Sequence, residues 1–245
     1  MKTIAVIPAR FDAERFPGKL LKKLGNKTVI EQTYLATLST NLFDEVYVVT
    51  DNKEIFSVIT NIGGKAIMSK GVYNCGSDRI ASAVMNMNVD IILNIQGDEP
   101  FIDEQSLLSL LKTLKKDKNK QISLASLMME ITDPKIINNP NTVKVIVDSE
   151  NFAIYFSRFG LPYKRDSLGS TKYFKHIGVY AFRKNALIEF YKQEMTPLEK
   201  SEKIECLRYI ESRKKIKMIS TSFSGVSIDT PADLELAKSI WTNNE

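Results

Sequence analysis

Along the first half of the chain, short apolar runs alternate with stretches whose apolar residues recur every three or four positions. Residues 3–7 (TIAVI) are almost wholly apolar, as expected of a strand buried on both faces. The spacing predicts a helix over 29–38, and the β-branched and aromatic run 45–50 (EVYVVT) predicts a strand. A helix over 53–62 stops at Gly63-Gly64, a plausible C-terminal cap. A brief strand at 65–68 follows, then a helix that Ser77 would cap and that runs to Met85. Residues 89–95 (VDIILNI) are the strongest strand in the chain, and Asp103 precedes a further helix over 106–114. Such a βαβα order predicts a parallel sheet covered by helices.

From about Lys120 the pattern changes. Strands are predicted at 122–127, 143–147, 153–156 and 177–182, with few helices between them and a hairpin turn at 148–151 (DSEN). Helical spacing returns at 185–191, 201–213 and 231–241. No repeat, low-complexity segment or long linker interrupts the chain. The expectation is a single α/β domain with a mostly parallel, Rossmann-like central sheet. Its α/β part covers 1–119, a mixed β-rich insertion covers 120–220, and 221–245 returns to end in a helix.

At 245 residues the chain can bury a substantial core. Lys+Arg of 34 against Asp+Glu of 29 leaves a net charge of +5, which suits anionic small molecules or weak non-specific nucleic-acid binding. Many of the basic residues (Lys112, Lys115, Lys116, Lys118, Lys120, Arg213, Lys214, Lys215) fall in polar runs that read as solvated helix ends. An aromatic–basic platform is also missing, so no nucleic-acid partner is expected. Cys75 and Cys206 lie far apart, at neither metal-ligand nor disulfide-framework spacing. The N-terminus reads as a strand instead of a signal peptide, and no apolar run nears the roughly 20 residues that span a bilayer. A cytoplasmic protein without a membrane partner is expected.

Three segments carry candidate chemistry. The first is Pro8-Ala9-Arg10-Phe11-Asp12-Ala13-Glu14-Arg15-Phe16-Pro17-Gly18-Lys19, directly after the first strand. In open parallel sheets ligands bind beyond the carboxyl ends of the strands. The cations Arg10, Arg15 and Lys19 suit a triphosphate, although a solvated basic loop would look the same. Neither G-x-G-x-x-G nor a P-loop occurs, which disfavours dehydrogenases and P-loop kinases. Next comes Asn94-Ile95-Gln96-Gly97-Asp98-Glu99-Pro100, which places Asp98 at a strand end as either a Mg²⁺ ligand or a turn cap. In the third, 225–234 (GVSIDTPADL), Asp229 and Thr230 stand where the last helix begins, and one of them is expected to be its N-cap. The single histidine, His176, would by itself be a structural residue more often than a catalyst.

Taken together, these segments resemble the 3-deoxy-manno-octulosonate (Kdo) cytidylyltransferase family, the CMP-Kdo synthetases, from Thr3 to about Leu236. IPARF followed by R-x-P-G-K is similar to the family's CTP-binding loop, and Cys75-Gly76-Ser77-Asp78-Arg79 resembles its S-G-T-[ED]-R segment at the cytosine end. The resemblance implies nucleotide contacts from Pro8, Ala9, Arg10, Arg15, Lys19, Cys75, Gly76, Ser77, Arg79, Gln96 and Gly97. It also implies a Mg²⁺ cofactor on Asp98 and Asp229, with Lys19, Arg15, Asp98 and Asp229 as the catalytic set. On the sugar side, Asn141-Thr142-Val143-Lys144-Val145 with Tyr155-Phe156-Ser157-Arg158 resembles NxVKVV…YFSR. Likewise Leu161-Pro162-Tyr163-Lys164-Arg165-Asp166 corresponds to I-P-[WY]-x-R-D. His176, Gly178 and Tyr180 match H-x-G-x-Y, and Glu205-Cys206-Leu207-Arg208 resembles E-Q-L-R. The implied sugar contacts are Arg158, Arg165, His176, Gly178, Tyr180 and Glu205. Cys75 replaces the family's usual serine, which removes a hydroxyl at the cytosine end, and Cys206 replaces its usual glutamine, so 8-amino-Kdo or another acidic sugar stays open as an alternative to Kdo. The resemblance further implies CTP and an acidic sugar as partners, a homodimer, and a role in lipopolysaccharide synthesis.

Overall fold

The structure, a computed structural model, describes residues 1–12, 15–165, 171–223 and 225–242. Ala13 and Glu14 of the first motif and Asp166 of the sugar-side motif lie outside the described residues. In chain order the elements are β1 (Thr3–Ala9), a 3₁₀ turn (Lys19–Leu21), β2 (Lys23–Leu24), β3 (Lys27–Thr28), α1 (Val29–Ser39), β4 (Glu45–Thr50), α2 (Lys53–Asn61), β5 (Lys65–Met68), α3 (Gly76–Val84), β6 (Ile91–Asn94) and α4 (Glu104–Lys116). There follow β7 (Ile122–Ile131), α5 (Pro134–Ile137), β8 (Lys144–Val147), β9 (Ala153–Ser157), β10 (Tyr173–Arg183), α6 (Lys184–Lys192), α7 (Pro197–Glu202), α8 (Cys206–Glu211), β11 (Lys215–Ser220) and α9 (Pro231–Thr242). They form two compact units, Met1–Leu107 with Ser224–Glu245, and Leu108–Phe223.

In the first unit β6, β1, β4 and β5 lie side by side and parallel. Ile4, Ala5, Val6 and Ile7 are fully buried, which is why β1 carries a continuous apolar run instead of an alternating one. Local chemistry sets the helix starts. Thr28 and Glu31 form a reciprocal capping box on α1, and the Asn52 side chain accepts from Glu54 N and Ile55 N to start α2. Gly63 follows α2 at φ 75°, a left-handed conformation that favours glycine. One expectation is corrected here. Cys75, in extended backbone, is the N-cap residue of α3, while Ser77 lies inside the first turn and is fully buried.

The second unit is a mixed sheet. β7 pairs antiparallel with β10 and parallel with β11, and β8 pairs antiparallel with β10 and β9. The β8–β9 hairpin turns where DSEN predicts, with Asp148 Oδ1 accepting from Glu150 N (2.9 Å) and Phe152 N (2.8 Å) and with Asn151 at φ 59°. Two sequence readings fail in this unit. Lys215 does not belong to a solvated helix end: it opens β11, KIKMIS, in which Ile216 and Met218 are buried at alternate positions. The single helix expected over 201–213 is two, because Lys203 adopts a left-handed φ of 54° between α7 and α8. Strand β10 carries a register shift between Ile177 and Tyr180, a bulge that redirects its side chains.

Candidate active site

At the carboxyl end of β1 the chain enters the basic loop, and at the end of β6 it turns through Gly97. A Cβ on Gly97 would stand 3.2 Å from Pro8 O, so a side chain there would press the two strand ends apart by a few tenths of an ångström. Thr33 Oγ1 donates to Gly97 O (3.0 Å) and holds the turn. The next residue, Asp98, accepts from Ile228 N at its backbone oxygen (2.9 Å). That bond brings the third motif to the second. Gly18, at φ 69°, donates its N–H to Phe11 O (3.0 Å), folds the basic loop back, and starts the turn that carries Lys19.

Lys19 Nζ donates to both Asp98 Oδ2 and Asp229 Oδ1, the latter at 2.9 Å, although Lys19 is only 8% exposed. Arg15 Nη2 lies 3.0 Å from Asp229 Oδ2. Burial alone would raise the Asp229 carboxyl. The hydrogen bond and charge of Lys19, then Arg15, outweigh it and hold the group below the usual carboxylate value. Of the two alternatives at the last helix, Thr230 is the cap: its Oγ1 accepts from Asp233 N (3.2 Å), and Asp233 Oδ2 accepts from Thr230 N (2.8 Å). Asp229 is thereby left to face the cations.

Around this cluster is a cavity of about 430 Å³, lined by Pro8, Ala9, Arg10, Arg15, Lys19, Leu20, Tyr73, Asn74, Cys75, Gly76, Arg79, Gln96, Gly97, Asp98 and Asp229. Ser77 is not among the lining residues. Arg79 is fixed in the wall, with Nη2 on Asp51 Oδ2 (2.7 Å), Nη1 on Ser69 Oγ (2.7 Å) and its guanidinium 5.2 Å from the centre of the Tyr73 ring. Among the described residues the lining sets four cations against two carboxylates at the mouth of a parallel sheet, which suits a polyanion. Sequence reasoning missed Tyr73 and Asn74, whose signal was their place directly before the Cys75 motif, and it missed Asp51 and Ser69, for which the sequence held no signal.

In the second unit, His176, Gly178 and Tyr180 sit along the β10 bulge. Ser126 Oγ fastens the bulge: it donates to Val179 O (2.9 Å) and lies 2.9 Å from His176 Nε2. Desolvation lowers the His176 pKa to about 4, which keeps the imidazole neutral near pH 7. The Tyr180 ring is 5.5 Å from that of His176, and the Tyr180 side chain hydrogen-bonds Cys206, which adjoins half-buried Glu205 at the start of α8. Burial pushes the Cys206 thiol well above its usual value, so it stays a neutral thiol. Arg158 is engaged elsewhere: Nε, Nη1 and Nη2 donate to the backbone oxygens of Glu202 (2.7 Å), Pro140 (3.0 Å) and Lys203 (3.4 Å). Arg165 is exposed.

A cytidylyltransferase family model matches residues 4–216. The chain is 56% identical over 239 residues to a 3-deoxy-manno-octulosonate cytidylyltransferase of Christiangramia forsetii, covering 98% of this chain and 96% of that one. It is 55% identical over 240 residues to the protein of the same name from Flavobacterium johnsoniae, covering 98% of each. The chain belongs to the 3-deoxy-manno-octulosonate cytidylyltransferase family. A solved CMP:2-keto-3-deoxy-manno-octonic acid synthetase complexed with CTP superposes with a TM-score of 0.94 at 32% identity, covering 100% of both chains. The α/β, mostly parallel fold class read from the sequence is therefore that of the family. Among the described residues no helix is long and apolar enough to cross a membrane.

Proposed function

We propose that this chain transfers CMP from CTP to the anomeric hydroxyl of Kdo, giving CMP-Kdo and pyrophosphate. The observation that carries the reading is the convergence of Asp98, Asp229, Lys19 and Arg15 at the mouth of the parallel sheet. In-line attack of the sugar hydroxyl on the α-phosphorus forms the new P–O bond as the bond to pyrophosphate breaks, and the hydroxyl proton is released to solvent. Such transfers depend on positioning and charge stabilisation more than on a protein nucleophile. Arg10, Arg15 and Lys19 bind the triphosphate and offset the charge that grows on the leaving pyrophosphate. Pro8, Ala9, Gln96 and Gly97 line its approach, while Cys75, Gly76 and Arg79, with Tyr73 and Asn74 beside them, take the nucleoside end.

A Mg²⁺ ion fits this donor set, because two hard carboxylate oxygens, from Asp98 and Asp229, already converge on one cation. Bound there, Mg²⁺ would supply Lewis-acid polarisation of the phosphate oxygens and favour the ionised sugar hydroxyl. On the sugar side, His176, Tyr180 and Glu205 read the sugar hydroxyls. Exposed Arg165 forks onto the sugar carboxylate, whereas Arg158 holds the chain that leads to it through its three carbonyl bonds.

The test is pyrophosphate release from CTP, UTP, ATP or GTP with Mg²⁺ and a panel of acidic sugars that includes Kdo and 8-amino-Kdo. The expected result is stoichiometric CMP-Kdo and pyrophosphate from CTP with Kdo, reduced about 10²–10³-fold by Asp98→Asn or Asp229→Asn in folded protein. Absence of pyrophosphate with CTP and Kdo would sink the proposal.

A further inference from the structure

We infer that in the nucleotide-free protein the Lys19 ammonium occupies the divalent-cation position, so that the cation binds only as a triphosphate draws Lys19 away. The inference rests on reading Asp98 and Asp229 as the metal carboxylates. Lys19 Nζ is bonded at once to Asp98 Oδ2 and Asp229 Oδ1, bridging the two oxygens that a shared cation would bridge. Its side chain is 10% exposed, so the ammonium has given up most of its water for these carboxylates. Arg15 covers the other oxygen of Asp229. Two carboxylates then face two cations, and the cluster has no net charge with which to attract a dication.

The protein also offers a free ion little else. Among the described residues there is no group of three or more His, Cys, Asp or Glu side chains able to hold a metal. Mg²⁺ demands near-octahedral oxygen ligation and gives up water reluctantly, so two carboxylates already bonded to an ammonium are a poor site. A triphosphate changes both terms. Its charge, about four negative units, draws the basic side chains toward it, and its oxygens supply the missing ligands. Lysine suits the exchange because its point charge rides on a flexible stem, whereas an arginine fork would hold both carboxylates in one fixed geometry. By linkage the cation must raise nucleotide affinity by the same factor.

The experiment follows Mn²⁺ binding to nucleotide-free wild type, Lys19→Met and Lys19→Gln by loss of the free-ion electron paramagnetic resonance signal. Melting temperature is measured with chelator and with Mn²⁺. The expected result is about ten-fold or greater tightening in the Lys19 variants, a coupling of the ordinary allosteric size. Their melting temperature should also rise more on Mn²⁺ addition than that of wild type, and Asp98→Asn added to Lys19→Met should abolish both effects. A variant that folds only when Mn²⁺ is supplied reports the same competition. Lys19 variants that bind Mn²⁺ no tighter than wild type, or that stay unfolded with and without it, would overturn the inference. A separate arm adds a non-hydrolysable CTP analogue to wild type: if the Mn²⁺ then bound is indifferent to Asp98→Asn and Asp229→Asn, the reading of the metal carboxylates fails as well.

Discussion

Replacing Arg208 by methionine tests how the second unit is held together. Its guanidinium forks onto Glu199 through Nε–Oε2 (2.7 Å) and Nη2–Oε1 (2.6 Å), and the two side chains are 1% and 2% exposed. Nη1 also donates to Phe190 O (3.1 Å) and Gln193 O (3.3 Å) at the end of α6, and the guanidinium lies 3.8 Å from the Phe190 ring centre. Methionine fills much of the volume but leaves the Glu199 carboxylate buried without its partner. Loss of one member of a buried pair costs about 3–5 kcal/mol, a large share of the roughly 5–15 kcal/mol that holds a typical protein folded. In urea monitored by far-UV circular dichroism, the midpoint should fall by about 1 M or more, taking a slope of about 3 kcal/mol/M. Trp241, the single tryptophan, lies in the first unit, so its emission is a poor probe of this change. Arg208→Met combined with Glu199→Gln removes the stranded charge and should recover about half of the loss or more. A single-variant shift below about 0.3 M, or a double variant no more stable than the single, would refute the assignment of a buried charge pair.

Desolvation of the half-buried His176 ring predicts a pH dependence of stability. Its folded pKa of about 4 lies below its unfolded value of 6.5, so the unfolded chain takes up the proton first. Stability should therefore fall as pH drops below 6.5, by about 2 kcal/mol between pH 7.5 and 5, and level off below about pH 4. His176→Phe should remove that slope; an equal slope in wild type and variant would assign it to other groups. Cys75 lines the nucleotide cavity and Cys206 is buried, so a disulfide reagent should titrate one thiol quickly in native protein and the second only on unfolding. CTP at ten times its dissociation constant should slow the fast thiol about ten-fold, and no protection would remove Cys75 from the nucleotide site. Arg79→Met should raise the KM for CTP by about ten-fold or more, the worth of a charged hydrogen bond, with a smaller change in kcat. Unchanged KM would show that Arg79 serves only Asp51 and Ser69.

Elements whose signal is local were legible in the sequence. Strands β4 and β5 have the boundaries that the apolar pattern predicts, because their β-branched runs and flanking polar residues are complete within a few positions. The 201–213 segment was not legible. Its helical spacing is genuine, but the left-handed turn at Lys203 separates α7, where Glu199 lies, from α8, where Arg208 lies, and those two meet in the buried pair. Strand β11 was missed for a related reason: its alternating lysines look like surface charge until β7 lies alongside to bury Ile216 and Met218. For Arg158, the motif position points to a sugar contact, and the structure adds bonds to three backbone carbonyls for which the sequence holds no local signal.

By itself the sequence determined the order of the main strands and helices of the first unit, the placing of a basic loop and of Asp98 after buried strands, and the ordered set of motifs that marks the family. Each depends on neighbours within a few positions, or on residue identities that need no coordinates. Only the tertiary structure decided between Asp229 and Thr230 at the last helix, and only it put one lysine between two carboxylates that lie far apart in the chain. The physical reason for the second outcome is that it depends on the bond from Ile228 N to Asp98 O and on the close approach of Gly97 to Pro8, contacts between segments that have no signal of each other in the linear chain.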